Sequence, residues 1–166
     1  MALRMRSPLP SFEGAATWLN GEVSPQELLG RPVVVSFWSQ SCYLCHETAE
    51  QFAQWRDRFA QRGVAFVAIH QPRSEDELDI EAVCSDALTE MKLTQPTAID
   101  NDHAIVERFA NEFVPAFYVF NRAHELRHFQ AGGKGFERIE AAIQRVLDAP
   151  SEEAAQPEGK GATTAV

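Results

Sequence analysis

The stretch from Val33 to Cys45, VVVSFWSQSCYLC, constrains what this chain can fold into more than any other. A near-continuous apolar run with three adjacent valines predicts a strand buried on both faces, as in a parallel sheet. The run stops at Ser39, Gln40 and Ser41, and Cys42 and Cys45 follow, three positions apart. Beyond them Phe52, Trp55, Phe59 and Ala60 share one face of a helical pattern, expected to continue to about Arg62 and to stop at Gly63. A buried strand therefore delivers two thiols to the first turn of a helix. The unpaired N–H groups there carry a partial positive charge, which stabilises an anion and lowers a thiol's pKa. Residues i and i+3 face each other across one turn, close enough for a disulfide to open and close with little backbone movement. Cys42 is expected at the exposed lip, as the attacking thiolate, and Cys45 one turn inside, as the resolving thiol.

Two rival readings of the pair stay open at this level: a metal half-site and an inert pair. Tetrahedral zinc takes four ligands, usually from two such pairs, and only His46 stands close by in sequence. His46 itself reads first as a solvated helix histidine, and otherwise as a cation that lowers a thiol pKa. The third cysteine, Cys84, falls on a core-facing stripe with Ile80, Val83, Ala87, Leu88 and Met91, and reads first as a small buried hydrophobe and otherwise as a third redox thiol.

With 166 residues, 45% of them hydrophobic, the chain is long enough for one compact domain with its own core. That domain is expected over residues 1–149. The remainder, 150–166, is Ala, Glu, Gly, Pro and Thr without periodicity, the composition of a disordered tail. A net charge of −9 argues against nucleic acid, whose binders carry a basic stripe, and no basic cluster suits an anionic membrane. Arg4 and Arg6 precede no apolar run, so neither a signal peptide nor a membrane span is legible. A cytoplasmic location is the expectation. In that compartment three cysteines are no disulfide scaffold, and a Cys-x-x-Cys pair is catalytic or metal-binding.

In chain order, residues 1–15 are irregular, and 16–19 form a short edge strand turned by Asn20-Gly21. Ser24-Pro25-Gln26-Glu27 starts a brief helix, with serine as cap, proline at the first position and glutamate at the capping-box position. After the cysteine helix, 64–69 is a second buried strand, parallel to the first. His70, Gln71 and Arg73 then fall at the same sheet edge as the cysteines, where they either touch the site or are ordinary loop residues. An acidic surface loop over 72–79 leads to the helix of Cys84. A short strand at 97–99 precedes a helix capped by Asp100-Asn101-Asp102, with His103 at its start. Val114-Pro115-Ala116-Phe117-Tyr118-Val119-Phe120 is a core strand that opens on proline. Residues 125–131 return antiparallel in a surface hairpin carrying His124 and His128. Gly132-Gly133 then breaks the chain before an amphipathic helix with Phe136, Ile139, Ile143, Val146 and Leu147 on one face. The order is β-α-β, an inserted helix, then β-β-α: an α/β fold with a central mixed sheet.

On these residues the chain resembles thioredoxin-fold thiol–disulfide oxidoreductases over about residues 8–148. The strand ending Phe37-Trp38, the Cys42-Tyr43-Leu44-Cys45 motif and the distant Val114-Pro115 carry that likeness. The amino-terminal extension and the inserted helix resemble the TlpA/ResA-like branch. Pro72-Arg73-Ser74-Glu75-Asp76, Val114–Phe120 and Leu126–Gly133 look closer still to its soluble, cytoplasmic YkuV-like members. The resemblance implies helices on both faces of the sheet and Cys42 and Cys45 as the redox pair. It also implies a cis bond before Pro115, Val114 offering its backbone to an extended substrate beside Cys42, and Trp38 packed under the active-site loop. Departures from the family pattern matter as well. Tyr43-Leu44 replaces the Gly-Pro of thioredoxins, Ser36 stands where they bury an aspartate, and Ser41 replaces their second tryptophan. Thr48 stands where ResA-type proteins have a glutamate, and the neighbouring Glu47 points about 100° away around the helix. Thioredoxin-fold copper chaperones use a Cys-x-x-x-Cys spacing, one residue longer than here.

The expectation is a monomeric thiol–disulfide oxidoreductase that reduces protein disulfides and is reset by a dithiol reductant. No metal, flavin or nucleotide cofactor is implied, since no glycine-rich phosphate loop is present. The alternative is a copper or zinc carrier on the same scaffold.

Overall fold

All six residues of β2, Val33–Trp38, are buried in the computed structural model, which describes residues 3–149. The tail expected from residue 150 lies outside the described residues. β2 is buried because it is central: the sheet order is β1-β4-β3-β2-β5-β6. β3 (Ala65–His70) pairs with it in parallel and β5 (Ala116–Phe120) antiparallel. Outside these lie β4 (Thr97–Ile99), parallel to β3, and β6 (Leu126–Ala131), antiparallel to β5. β1 (Thr17–Leu19) closes the far edge antiparallel to β4. This is the mixed sheet of a thioredoxin-like α/β fold.

Alternation along β2 feeds two cores, because successive side chains leave opposite faces of a strand. Val33, Val35 and Phe37 pack with Ile105, Val106 and Phe109 of α4 (Ala104–Phe109). Val34 packs on the other face with Phe52, Trp55 and Phe59 of α2 (Ala49–Ala60) and Ile139 and Ile143 of α5 (Phe136–Asp148). The amino-terminal extension is irregular, as expected, yet it is not merely superficial. Leu9 and Phe12 are buried in the α4-side core, and Pro8 bridges to Glu125.

Three expectations are corrected. The cysteine helix is not continuous to Arg62: α1 (Tyr43–Glu47) and α2 are separate, with Thr48 between them at φ −97° and ψ 0°. The Thr48 hydroxyl donates to the Leu44 carbonyl at 2.8 Å, a back-bond that bends helices. The inserted helix is continuous but not α throughout: α3 (Ile80–Ser85) passes directly into a π turn at Asp86–Glu90, and the acidic loop before it holds a 3-10 turn at Glu75–Leu78. Its core stripe is narrower than the pattern suggested. Val83, Ala87 and Met91 are buried, Cys84 is half-buried and Ile80 and Leu88 are exposed. Finally, Pro115 precedes β5 rather than opening it.

Among the described residues no helix is long and apolar enough to cross a membrane.

Candidate active site

Ser39, Gln40 and Ser41 leave β2 and turn the chain into α1, and residues at the end of β3 hold that turn. The Gln71 amide donates to the Trp38 carbonyl at 2.8 Å, and the Ser39 hydroxyl donates to the Gln71 carbonyl at 2.5 Å. The Gln40 amide donates to Nε2 of His70 at 3.1 Å, and Arg73 Nε donates to the Ser41 hydroxyl at 3.1 Å. His70, Gln71 and Arg73 thus all reach the cysteine loop. The parallel register that pairs Trp38 with His70 brings these strand ends together.

The turn delivers Cys42 as the N-cap of α1, in extended conformation, with its amide on the Ser39 carbonyl at 3.1 Å. Its sulfur accepts the Cys45 amide at 3.0 Å, so an anion there meets a free helix-start N–H. Cys42 and Cys45 form a disulfide with their Cα atoms 5.3 Å apart, inside the usual range. Cys42 is not the exposed lip that its position suggested: it is 4% exposed and Cys45 3%. Both sulfurs pack into one apolar cluster with Trp38 and Ala49, and Val114 packs against it. What is exposed instead is the dipeptide between them, Tyr43 at 73% and Leu44 at 42%, together with Phe113 at 66%. A Cβ added at Gly133 would stand 3.3 Å from Leu44, so glycine there admits the close approach.

The Val114–Pro115 peptide bond is cis, and Val114 is half-buried against the cysteine cluster. A buried amide network holds this loop. Asn111 Nδ2 donates to Gln71 Oε1 at 2.8 Å and to the Phe113 carbonyl at 2.9 Å, while the Tyr118 hydroxyl donates to Asn111 Oδ1 at 2.8 Å. Asn111 had no signal in the sequence; only the fold sets it between the two site loops. Trp38 is buried, with its ring edge-on to His70 at 4.8 Å, and its Nε1 has no protein partner among the described residues. Beneath Cys45 lies a cavity of about 30 Å³, whose lining includes Ser36, Thr48 and Pro115 and no carboxylate.

A second polar cluster backs the loop. Glu77, which the sequence placed in an acidic surface run, is buried. It accepts the Ser41 hydroxyl at 2.7 Å, the Ser41 amide at 3.3 Å and the Arg73 amide at 3.2 Å. An acid within an acidic run carries no sequence signal for burial. His70 is fully buried, and its Nε2 already accepts the Gln40 amide. The ring is therefore neutral with its proton on Nδ1, and the 3.4 Å approach of Glu77 is not an ion pair near neutrality. Burial depresses the His70 pKa to about 4, against the opposing pull of Glu77. Burial raises the Glu77 carboxyl, but its bonds from Ser41 and Arg73 outweigh that and leave it below its ordinary value.

A pH dependence follows. Between 6.5 and about 4 the unfolded chain binds a proton at His70 that the folded chain refuses. Stability is therefore full above that window and falls on acidification, by roughly 3 kcal/mol at the lower end. Glu77, with its folded pKa lowered, adds a loss of the same sign at lower pH. Urea midpoints measured between about pH 7 and pH 4 should fall more steeply in the natural protein than in His70→Gln; equal slopes would exclude this origin.

His46, expected to be solvated, is half-buried and bonded through both ring nitrogens, to the Cys42 carbonyl and to Asp86. His103 does begin α4, with Nε2 on the Pro72 carbonyl, while Asp100 caps that helix by accepting the Ile105 and Val106 amides. His124 is buried rather than superficial, because its Nε2 bonds the Leu28 carbonyl at 2.8 Å. No group of three or more His, Cys, Asp or Glu suited to a metal ion occurs among the described residues.

Comparison with known proteins agrees with this geometry. The sequence model described as the AhpC/TSA family matches residues 5–129. Thiol-disulfide oxidoreductase YkuV of Bacillus subtilis (strain 168) is 44% identical over 146 residues, covering 87% of this chain and 97% of that protein. The solution structure of a thioredoxin-like protein in the oxidized form, 44% identical, matches with a TM-score of 0.78 over 87% of this chain and 97% of that one. At 19% identity, the crystal structure of a thiol-disulfide isomerase from Corynebacterium glutamicum shares the fold, with a TM-score of 0.69 over 85% and 97% of the two chains.

Proposed function

The chain belongs to the AhpC/TSA family and is a thiol–disulfide oxidoreductase; from that premise we propose that it reduces protein disulfides in the cytoplasm, as a monomer reset by a dithiol donor. The observation that carries the reading is the Cys42–Cys45 disulfide at the start of α1, with Cys42 as N-cap.

In the reduced protein the Cys42 thiolate attacks one sulfur of a substrate disulfide. A mixed disulfide forms and the other substrate sulfur leaves as thiolate. The Cys45 thiol loses its proton and attacks the Cys42 sulfur, which closes the Cys42–Cys45 disulfide and releases the second substrate thiolate. Two electrons have passed to the substrate. No carboxylate is among the residues that line the cavity under Cys45, and in this reading the Cys45 proton passes to a solvent water. At about 30 Å³ the space has room for one, with Ser36 and Thr48 among the residues that line it.

Around the sulfurs, exposed Tyr43, Leu44 and Phe113 supply apolar surface on either side of the attack site. Val114 and Pro115 offer backbone to an extended segment, and Trp38 supports the cysteines from below. The cytoplasmic reading rests on the sparing use of cysteine. The compact domain is proposed over residues 1–149.

The deciding measurement is the potential of the Cys42–Cys45 couple in glutathione buffers, read from tryptophan fluorescence with Trp38 as reporter. A value near −270 mV or lower is expected for a cytosolic reductant, whereas one of about −120 to −180 mV would make it an oxidant or isomerase. No reversible transition, together with metal that copurifies and is lost to chelators, would transfer the site to a metal carrier.

A further inference from the structure

His46 follows the resolving cysteine directly, and its ring is held at both ends. Nδ1 lies 2.7 Å from the Cys42 carbonyl, which can only accept, so Nδ1 carries a proton. Nε2 lies 3.0 and 2.8 Å from the two carboxylate oxygens of Asp86. An ionised carboxylate also only accepts, so Nε2 carries a proton too. Both bonds are satisfied together by an imidazolium facing a carboxylate, and the same two protons could otherwise sit only as a neutral imidazole beside a carboxylic acid. Histidine is the far stronger base, so the ion pair is the state near neutrality.

Asp86 reaches this position because the inserted helix changes at that residue from α to a π turn, Asp86–Glu90. Such turns recur at functional sites. The ion pair ties the inserted helix to the redox helix, and its side chains are mostly out of water, 27% and 12% exposed. The charges facing His46 from the inserted segment are Asp86 and Glu90, both acidic. Its own helix brings the Cys42 carbonyl. Asp86 in turn faces His46, Glu90 and Glu77. Burial opposes the charged ring, but the Cys42 carbonyl, Asp86 and Glu90 outweigh it and raise the His46 pKa. Burial also raises the Asp86 carboxyl, against the pull of His46, but the two acceptors facing the ring hold the pair as ions.

We propose that Asp86 keeps His46 as an imidazolium clamped on the Cys42 carbonyl, and that this cation promotes ionisation of Cys42 and makes the Cys42–Cys45 couple more oxidising than it would otherwise be. The inference rests on the oxidoreductase function and adds a positioning pair to it. Reduction of the disulfide adds two electrons and, while Cys42 stays ionised, one proton, which goes to Cys45. The imidazolium keeps both of its protons throughout, so it acts by charge and by fixing the N-cap, not by proton transfer. Its influence is present below its raised pKa and is lost as the pH rises through that value.

Two measurements test the pair. Imidazole proton resonances of the natural protein should show His46 titrating above 6.5, and Asp86→Asn should bring that titration down. Thiolate absorbance against pH and glutathione equilibria should show that His46→Gln raises the Cys42 pKa. The same variant should shift the equilibrium about tenfold toward the disulfide, about 30 mV for a two-electron couple. His46→Lys, which restores a positive charge at that position, should return both quantities to within about twofold of the natural protein. A His46 that titrates at or below its ordinary value overturns the proposal without any variant. So do His46→Gln values unchanged within about twofold, even with a lowered melting temperature, which would mark a purely structural pair. A natural protein with no reversible couple at all would remove the oxidoreductase function and this inference together, an outcome distinct from either.

Discussion

Replacing Cys45 with alanine is expected to convert the protein into a trap. Cys42 in that variant still attacks a substrate disulfide, since the helix-start N–H of residue 45 and the His46 ring remain beside it. The mixed disulfide it forms has no internal thiol to resolve it, so it accumulates and is released by added dithiol. Cys42→Ser should neither turn over nor trap, with a loss of at least about a thousandfold, because the nucleophile itself is gone. Mass spectrometry under non-reducing conditions reads the adduct, and insulin reduction reads turnover. The contrast between the two variants matters more than either alone. A Cys42→Ser protein that still traps would mean that Cys45, which is equally buried, is the attacking thiol. Turnover that survives both changes would bring in Cys84, half-buried on α3 against the same cluster.

Phe37→Ala is expected to give the largest loss of stability, about 3–5 kcal/mol, read as a lowered urea midpoint with an unchanged slope. Phe37 is fully buried one residue before Trp38. Its ring meets Phe109 at 5.1 Å and Tyr118 at 5.6 Å, both edge-on, and those two meet each other at 5.1 Å. Truncation removes the transfer energy of the ring and leaves a cavity at the junction of β2, β5 and α4. The site should suffer too, because Tyr118 holds Asn111, and Asn111 holds the Phe113 carbonyl beside the cis Val114–Pro115 bond. A loss under about 1 kcal/mol would show that the α4-side core collapses around the gap, and that the site strand is not anchored through this aromatic triad.

Much of the fold and the centre of the site were legible from local pattern. Val33–Trp38 reads as a buried strand because all six positions are apolar or small, and it is central for the same reason. The cysteine pair, the capping serine at 24 and the caps at Asp100 follow from residue type at fixed spacing, and geometry over one turn of helix is nearly independent of the rest of the chain. The break in the cysteine helix and the change of helix type in the inserted one were not legible. Thr48 is an unremarkable residue in a helical pattern until its hydroxyl takes the Leu44 carbonyl, and the π turn at Asp86 leaves the apolar periodicity almost intact.

Sequence alone placed a thiol pair at a helix start: a buried strand, a three-residue turn and then Cys42-Tyr43-Leu44-Cys45 do so by local pattern, and the likeness to a known family favoured redox chemistry over a metal half-site. Tertiary structure decided which other groups act on that pair. His70, Glu77, Asp86 and Asn111 lie 28, 35, 44 and 69 positions from Cys42; the βαβ pattern brought only His70 to the cysteines' sheet edge, and nothing local distinguishes the other three from other polar residues. Their burial and their partners arise only when β2 and β3 align in parallel, when the inserted helix folds back over α1, and when the loop before β5 closes on the end of β3. Hydrogen bonds and charge interactions act over a few ångströms, so distances in space, not in sequence, decide which of these groups meet around the cysteine loop.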